Sequence, residues 1–548
     1  FTFYDGPPFA TGLPHYGSLL QGIIKDLVPR FKTMQGHYVE RRFGWDCHGL
    51  PVELEMEKER GLMTRQEILD WGVGNYNDAC RKIVLRYTNE WRQITERIGR
   101  WVDMDDDYKT MDPDYMETVW WEIKQLWEKG LLYEGRRSMH ICPRDATPLS
   151  NFEVSLAYED RDDPSVYVEF PLAGSDASLL VWTTTPWTLP GNVLAAINPH
   201  LTYVEVEHAG KRLILAEPRL SAVFPEGDYT LRRTLRPQEL IGKTYEPPFP
   251  KRNLTGLSYA IVAADAVTAD EGTGILHVAP AFGEEDMEIG KREGAAFIQH
   301  VDIEGTITDE APRYRGLKAL EANEKIVADL KRMRRLHRKE MVRHSYPHCW
   351  RCGTPLLNFA ATSWFVAVTK LKSRLLETNE QIDWVPGRVK HGRFGKWLEG
   401  ARDWSISRNR FWGNPLPIWR CDNPETPHIT VVSSRDELEK LSGKRPKDLH
   451  KQYVDKITFP CPDCDGTARR IEDVLDCWFE SGSMPYGKEH YPFKHKKDFR
   501  QLFPADFIAE GLDQTRGWFY TLHVLGVALF DSPAYRNVLT TGIIQAED

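Results

Sequence analysis

The sequence predicts an α/β fold of the doubly wound type, split by a β-rich insert and zinc-ribbon-like modules. Three observations support this prediction. Residues 1–27 follow the order strand, Gly/Pro-rich turn, helix, and two further strand-to-helix transitions occur near residues 476 and 510. Residues 160–330 instead contain short alternating runs that are typical of strands. Paired cysteines flank that insert. The carboxyl ends of strands in an open α/β sheet are where ligands bind.

The composition limits the possible functions. With 548 residues the chain has room for three or four domains. Its net charge of −9 gives no global support for nucleic-acid binding, so any such surface must be local. We find no signal peptide and no membrane-spanning apolar run. Nine Cys, several in C-x-x-C pairs, favour metal sites in a reducing, cytoplasmic compartment. The chain begins in a predicted strand and ends at Asp548 without a closing element, so we expect a fragment.

The first stretch indicates phosphate binding. Phe1, Phe3 and Tyr4 predict a strand, the Gly/Pro-rich segment 6–18 a loop, and the residues from Gly17 onward a helix. This order offers backbone N–H groups and a positive helix end to a phosphate chain, and His15 lies within reach of it. A second tight turn, residues 44–51, contains Asp46 and His48. Asp46 is suited to hold a cationic amine. Either segment alone is common in ordinary surface loops.

Residues 52–130 predict mostly helices, with a capping box at Thr64. We interpret the acids of 103–107 as a solvated turn, because the full calcium-loop pattern is missing. Residues 319–340 predict a helix that ends in a basic run, which could meet phosphate or be a solvated helix end.

Two sets of cysteines predict metal sites. Cys142 and Asp145 form one knuckle, and Cys349 and Cys352 repeat it some two hundred residues later. Three thiolates and a carboxylate would supply the four ligands of tetrahedral Zn²⁺. The alternative is a paired turn with one reactive thiol. A second candidate set comprises three thiols and one imidazole: Cys421, Cys461, Cys464 and His428. Its alternative is a metal-free turn.

The insert contains two polar motifs. One places Thr183, Thr184 and Thr185 before a proline turn that reaches Asn192. The other places His277 nine residues before Asp286 across a Gly turn. Threonine runs also reflect β-propensity, and His277 could be an ordinary core histidine.

Together, segments 6–18 and 44–51 resemble the HIGH signature and the amino-acid pocket of class I aminoacyl-tRNA synthetases, and of the isoleucyl enzymes in particular. The resemblance implies a Rossmann-like catalytic domain, ATP and Mg²⁺ as cofactors with structural Zn²⁺, and His15 and Ser18 as catalytic residues. Ser18 departs from the signature, which closes on a second His; serine donates a hydrogen bond but carries no charge. The implied ATP-binding residues are Gly12, His15, Gly17, Ser18, Glu510, Gly511 and Asp513. The implied amino-acid-binding residues are Pro8, Asp46, Trp478, Glu510, Gln514 and Trp518.

The same resemblance makes the insert an editing domain that hydrolyses valine from mischarged tRNA. A pocket that fits isoleucine cannot strongly reject valine, since a methylene is worth ~1–3 kcal/mol, a magnitude established on isoleucyl enzymes themselves. Asp286 would hold the α-amine and His277 would exclude isoleucine. Thr183, Thr184 and Thr185 would hold the terminal adenosine and a water molecule, with Asn192 in support.

The implied function is therefore ATP-dependent ligation of isoleucine to tRNA(Ile) with editing of valyl-tRNA(Ile), by a cytoplasmic monomer without membrane contact. The predicted domains are the catalytic halves 1–140 and 471–548, the knuckle stem 141–158 and 341–360, the editing domain 159–340 and a connective region 361–470. The KMSKS loop of the family would follow residue 548. The alternatives are an editing-only deacylase, a valyl enzyme, or a nonenzymatic tRNA-binding module.

Overall fold

The structure is a computed structural model that describes residues 1–62, 64–425, 427–542 and 544. It divides into two compact units. The first unit comprises residues 1–135, 150–155 and 363–548, and the second comprises 136–149 and 156–362. The predicted knuckle stem, 141–158 and 341–360, therefore falls in the second unit apart from residues 150–155.

The first unit contains most of the helices. Its α-helices are Tyr16–Met34, Leu50–Arg60, Arg65–Trp71, Val73–Ile83, Thr88–Arg97, Pro113–Glu128, Asn151–Val154, Val368–Asn379, Gly395–Glu399, Arg435–Ser442, Lys451–Val454, Cys477–Gly482, Met484–Gly487, Phe499–Leu502 and Trp518–Phe530, with a π-helix at Lys390–Phe394 and a 3₁₀ helix at Leu512–Arg516. Its strands are Arg42–Trp45, Asp103–Lys109, Asp383–Val385, Trp404–Ser405, Ser407–Arg408, Ile418–Cys421, Ile429–Val431, Thr458–Pro460, Thr467–Arg470, Val474–Leu475, Ile508–Gly511 and Asn537–Thr541. Strands Leu132–Cys142 and Leu357–Val366 each run from one unit into the other.

Parallel strands confirm the predicted α/β class of the first unit. Asn537–Thr541 lies between Asp383–Val385 and Ile508–Gly511, and all three strands are parallel. Arg42–Trp45 pairs in parallel with Asp103–Lys109. Helix Trp518–Phe530 follows the strand at 508–511 and is buried along nearly its whole length, as expected of a helix that is apolar all round. Among the residues described, no helix combines the length and the apolar character needed to cross a bilayer.

Three sequence predictions for this unit need correction. The acidic stretch is the strand Asp103–Lys109 rather than a turn, because Met104 and Tyr108 are buried in the core while Asp103, Asp105 and Asp106 are exposed. The opening residues form no continuous strand; Phe3 makes a single parallel bridge to Phe507. The last strand ends at Thr541, and Ile543 of the predicted strand lies outside the described residues.

The second unit is β-rich, as predicted. Its strands are Thr147–Pro148, Tyr158–Pro171, Ala177–Thr183, Leu194–Ile197, Tyr203–His208, Lys211–Ala216, Thr230–Leu235, Ala260–Ala263, Ile275–Val278 and Leu336–Pro347. Its α-helices are Leu220–Val223, Glu284–Glu293 and Ala322–Arg332, with 3₁₀ turns at Pro186–Gly191, Glu217–Arg219, Pro237–Glu239 and Pro312–Tyr314. Nine of the strands form one mixed sheet, in which Ile275–Val278 lies between Ala177–Thr183 and Leu194–Ile197.

The predicted helix over 319–340 is wrong in its second half. The helix ends at Arg332, Arg334 adopts a positive φ of 57°, and the chain continues as the strand Leu336–Pro347. This strand pairs antiparallel with Tyr158–Pro171. The basic run therefore begins in the last turn of the helix, with Lys331 and Arg332, and continues through a turn into the strand, whose backbone pairs with the partner strand.

Candidate functional site

The phosphate-binding turn of the sequence prediction lies at the start of helix Tyr16–Met34. His15 is the N-cap, and its Nδ1 accepts a hydrogen bond from the backbone N–H of Ser18 at 3.4 Å. A Cβ on Gly17 would lie 2.8 Å from Cε1 of His15, so a larger residue there would displace the imidazole. His15 and Gly12 are exposed. The free N–H groups of the helix end and an exposed imidazole therefore lie side by side, which suits an anion.

Asp46 lies in a buried turn beside this loop. Its N–H donates to the carbonyl of Pro8 at 3.0 Å, and its Oδ2 accepts a hydrogen bond from Oγ of Ser481. Burial raises the pKa of Asp46 well above the usual range for Asp, and the charge on Glu480 adds to this, while the Ser481 hydrogen bond opposes it. Within the described part of the chain no cation pairs with Asp46. A buried carboxylate of this kind gains most from an ammonium group.

Trp518 and Glu510 lie beside the same turn and loop. Trp518 donates from Nε1 to the carbonyl of Ser481 at 3.0 Å. A Cβ on Gly6 would lie 2.7 Å from Oε1 of Glu510 and 3.3 Å from the Trp518 ring, so only glycine fits there. The structure thus brings the start of the first motif, the turn that carries Asp46 and two residues of the last segment together. Their sequence separations of hundreds of residues hide this proximity.

Glu510 is held by a lysine that the sequence analysis missed. Lys25 forms ion pairs with Glu510 and, at 2.9 Å, with Asp5, and all three side chains are buried. Arg100 also pairs with Asp5. Burial raises the pKa of Glu510 to about 7, opposed by Lys25. Helix Tyr16–Met34 therefore carries the buried charge of Lys25, which anchors Glu510, one of the predicted ligand-binding residues.

The other residues of the final segment lie around Gly517. A Cβ there would lie 2.7 Å from Oε1 of Gln514 and 3.0 Å from the ring of Trp478. Gln514 accepts a hydrogen bond from the N–H of Trp518 at 3.0 Å and donates to Asp513 at 2.9 Å. Gly511, the other predicted ATP-binding residue of this segment, is buried at the end of its strand, beside Asp513. Two predicted aromatic walls and a polar amide are thus neighbours.

A buried polar relay behind Asp46 escaped the sequence analysis. His48 Nδ1 lies 2.5 Å from Oε2 of Glu480, and His48 Nε2 lies 2.9 Å from Nε2 of His450. Asp448 and Arg81 complete the relay at Nδ1 of His450. His48 and His450 are 402 residues apart in sequence, so no local pattern could reveal the pair. The relay fixes the Asp46 turn against the helix that carries Ser481.

In the second unit the two predicted polar motifs meet in one hydrogen-bonded chain. Nε2 of His277 lies 2.9 Å from Oγ1 of Thr188. Nδ1 of the same ring lies 2.8 Å from Nδ2 of Asn192. Thr185 connects Thr188 to Thr183, at 3.3 Å and 3.2 Å between their hydroxyl oxygens. Burial lowers the pKa of His277 to about 3, so its imidazole is neutral at pH 7. Thr184 is partly exposed beside this chain.

Asp286 lies at the same strand end. It occupies the first turn of helix Glu284–Glu293 and accepts a hydrogen bond from the N–H of Ala279, two residues after His277, at 3.1 Å. Burial raises the pKa of Asp286 to about 7, and the Ala279 hydrogen bond opposes this. No cation is among the groups that shift this pKa, so a hydrogen bond rather than an ion pair holds the carboxylate in place.

Both predicted metal-ligand sets come together. In each set, Cys142–Asp145–Cys349–Cys352 and Cys421–His428–Cys461–Cys464, one ligand atom per residue lies within 4.8 Å of the others. The sulfur atoms of Cys142 and Cys352 are 3.5 Å apart, and those of Cys421 and Cys464 are 3.4 Å apart. Tetrahedral Zn²⁺ with bonds of about 2.3 Å places two thiolates ~3.8 Å apart, so both donor sets fit this ion.

A third cluster is an ion-pair network rather than a metal site. Asp114, Glu117 and His490 are within ligand distance of one another. Arg435 donates to both carboxylates and Lys494 pairs with Asp114 at 2.8 Å. The cations already present satisfy the acidic groups.

Comparison with known proteins agrees with this geometry. The family model described as tRNA synthetases class I (I, L, M and V) matches residues 1–548. An isoleucine--tRNA ligase of Treponema denticola is 50% identical over 585 aligned residues, which include 100% of this chain and 53% of that protein. Isoleucine--tRNA ligases of Bdellovibrio bacteriovorus and Nocardia farcinica are 50% and 51% identical, again over 100% of this chain, and it covers 52% and 54% of them.

The chain thus spans about half the length of the curated relatives it matches. A solved leucyl enzyme of Agrobacterium radiobacter, in complex with tRNA and LeuAMS, aligns with 99% of this chain and 63% of its own, at 16% identity and a TM-score of 0.43, too low to support an inference. The full-length match of the family model and the identity to three ligases suffice: the chain belongs to the class I tRNA synthetases of the I, L, M and V group.

Proposed function

We propose that the chain activates isoleucine with ATP and ligates it to tRNA(Ile). The observation that carries the proposal is the Asp46 carboxylate, which is buried and bonded to Ser481 but has no cation of its own among the described residues. Asp46 and Trp518 both bond to Ser481, in a chain that is half identical along its whole length to isoleucine--tRNA ligases.

In the proposed first step the carboxylate of isoleucine attacks the α-phosphorus of ATP and pyrophosphate leaves. Asp46 binds the ammonium group, and Trp478 and Trp518 pack against the side chain. His15 and the N–H groups of the helix beginning at Tyr16 meet the phosphates. Mg²⁺ binds chiefly through the phosphates. The chain positions reactants and stabilises charge, so no nucleophilic side chain is needed.

In the second step a ribose hydroxyl at the tRNA end attacks the adenylate carbonyl carbon, and AMP leaves with the electron pair of the broken bond. The reactants again need placement rather than covalent catalysis.

Binding of a non-hydrolysable isoleucyl-adenylate analogue tests this site without requiring turnover. Calorimetry should give tighter binding than for the valyl and leucyl analogues, and Asp46→Asn should abolish the preference for an analogue with a free amine over its N-acetyl form. Equal affinity of wild type for the amine and N-acetyl forms would contradict the assignment of Asp46.

We further propose that the second unit hydrolyses valyl-tRNA(Ile). The polar chain from Thr183 to His277 and the unpaired carboxylate of Asp286 support the proposal. Asp286 binds the ammonium of the ester and the threonine hydroxyls orient a water. The water oxygen bonds to the ester carbon, the bond to the ribose oxygen breaks, and that oxygen takes up a proton. Valyl-tRNA should be cleaved faster than isoleucyl-tRNA, and Asp286→Ala should lose this activity.

Each four-ligand set is proposed to hold one structural Zn²⁺. Bonds from the thiolates to zinc would replace the hydrogen bonds that now link the residues of each set. Closed four-ligand sites of this kind stabilise the fold and take no part in catalysis. Nine thiols, all free in the structure, support the proposal of a reducing, cytoplasmic location.

Hydrolysis alone is a second candidate function, favoured by Ser18. The backbone N–H of this residue bonds to His15, but its side chain adds no positive charge at the phosphate site. Deacylation without any isoleucine-dependent pyrophosphate exchange would establish this second function in place of the first.

A further inference from the structure

A buried tyrosine ends the polar chain that passes through His277. The hydroxyl of Tyr245 lies 2.7 Å from Oδ1 of Asn192, and its side chain is 3% exposed. Its ring stacks on Phe170, with centroids 5.2 Å apart. Tyr245 belongs to neither polar motif and follows Asn192 by 53 residues. Its packing fixes where the hydroxyl points.

The hydrogen bonds of Asn192 fix the orientation of its amide. Nδ2 lies 3.0 Å from the carbonyl of Leu194, which can only accept, so this atom must be the nitrogen. Its other hydrogen points to Nδ1 of His277 at 2.8 Å. Both amide hydrogens are therefore used. Oδ1 accepts, and Tyr245 must donate to it.

The tautomer of His277 follows independently from both of its neighbours. Because Asn192 donates to Nδ1, that nitrogen carries no proton. On the other side, the single proton of Thr188 goes to the carbonyl of Thr185 at 2.8 Å, so Thr188 must accept from Nε2 of His277. Both constraints place the proton of His277 on Nε2.

The same reasoning orients the threonine hydroxyls. Since the proton of Thr188 is used, Thr185 donates to Thr188, and Thr183 donates to Thr185. Thr183 also accepts from the N–H of Thr185 at 3.1 Å. The hydroxyl protons of Thr183 and Thr185 therefore both point along the series of hydrogen bonds toward Thr188. Thr183 and Thr185 therefore meet a bound molecule as acceptors, and His277, with both ring nitrogens engaged, has no free lone pair with which to act as a base.

We propose that Tyr245 is a positioning residue of the proposed editing site. Through Asn192 it holds His277 as the neutral Nε2–H imidazole, which donates to Thr188 at the inner end of the threonine hydroxyls whose oxygens would accept a hydrogen from the attacking water. The effect on rate rests on the proposed editing function, whereas the tautomer rests on the hydrogen bonds alone.

Nuclear magnetic resonance of the ¹⁵N-histidine-labelled chain tests the tautomer. The His277 signals are assigned by their loss in His277→Gln. We expect an unprotonated Nδ1 and a protonated Nε2 from pH 5 to pH 8. In Tyr245→Phe the amide loses its anchor, and the His277 signals should shift toward a tautomer mixture. Tyr203→Phe is the matched control, because it removes another buried hydroxyl from the same unit, one bonded to the carbonyl of Gly274.

Hydrolysis of valyl-tRNA is measured on the same proteins. Tyr245→Phe should lower the rate roughly tenfold, the effect of about 1.4 kcal/mol on the barrier, and Tyr203→Phe should leave it unchanged. Wild-type His277 with its proton on Nδ1, or tautomer signals that Tyr245→Phe leaves unaltered, would overturn the proposal. If the tautomer behaves as expected and no protein cleaves valyl-tRNA, the control of the His277 tautomer by Tyr245 stands, and the editing function fails together with the effect on its rate.

Discussion

The Oδ2 atom of Asp46 accepts a hydrogen bond from Oγ of Ser481, a residue 435 positions later in the chain. The hydroxyl orients the carboxyl group, and the neighbouring relay of His48 and Glu480 links the same two segments a second time. The carboxyl group of Asp46 is therefore fixed in place and shielded from water, at the cost of folded stability.

Asp46→Asn should separate binding from stability. Loss of the charge pair with the bound ammonium should raise the KM for isoleucine roughly 100-fold, since truncating one partner of a buried charge pair costs about 2–5 kcal/mol. The melting temperature should stay the same or rise, because an unpaired buried carboxylate is removed. Pyrophosphate exchange and calorimetric unfolding measure the two effects, with Asp105→Asn, at an exposed strand position, as the control. An unchanged KM would refute the role of Asp46.

Ser18→His should increase activation. Ser18 occupies the third position of helix Tyr16–Met34, beside His15, so a second imidazole there would add a hydrogen-bond donor and positive charge at the phosphate site. We expect the kcat of pyrophosphate exchange to rise by about tenfold, equivalent to about 1.4 kcal/mol. Ser18→Asn, which adds a donor without charge, distinguishes the two contributions. A lower kcat in Ser18→His would show that the site is built for serine.

Asp286→Asn should become more stable relative to wild type as the pH rises. Burial raises the folded pKa of Asp286 to about 7 from 3.8, so between these values the folded state holds a proton that the unfolded state has lost. Wild-type stability therefore falls as the pH rises through this window. The variant lacks this loss, so its free energy of unfolding should gain on the order of 2 kcal/mol relative to wild type between pH 5 and pH 8. Urea unfolding at both values measures it; a constant difference would contradict the raised pKa.

Cys464→Ser should remove one zinc ion and leave the other. The wild-type chain is expected to hold two ions, and the variant about one, because the remaining three ligands of that set bind far more weakly than four. Elemental analysis after extensive dialysis gives the content. Cys80→Ser, at a buried thiol outside both ligand sets, should keep two. If removal of zinc from the wild-type protein leaves its unfolding unchanged, the cysteine sets are metal-free turns.

The parts that the sequence predicted well depend on local signals. Thr64 and Glu67 form the predicted capping box, and Gly61 ends the preceding helix in a left-handed conformation. Paired cysteines located both ligand sets, and His428 lies 3.6 Å from Cys461 as the closest imidazole should. What the sequence could not reveal depends on long-range packing. Lys25 lies in a helix that was predicted from its apolar residues alone, and Tyr245 belongs to neither of the motifs that the sequence analysis identified.

Isoleucine-dependent exchange of pyrophosphate into ATP tests the central proposal most directly. It requires only the adenylate-forming step, in which Asp46, His15 and the helix beginning at Tyr16 are assigned their roles. We expect exchange with isoleucine, much slower exchange with valine, none with leucine, and loss of the isoleucine signal in Asp46→Asn. Exchange that is equal for all three amino acids, or that survives Asp46→Asn with an unchanged KM, would contradict it.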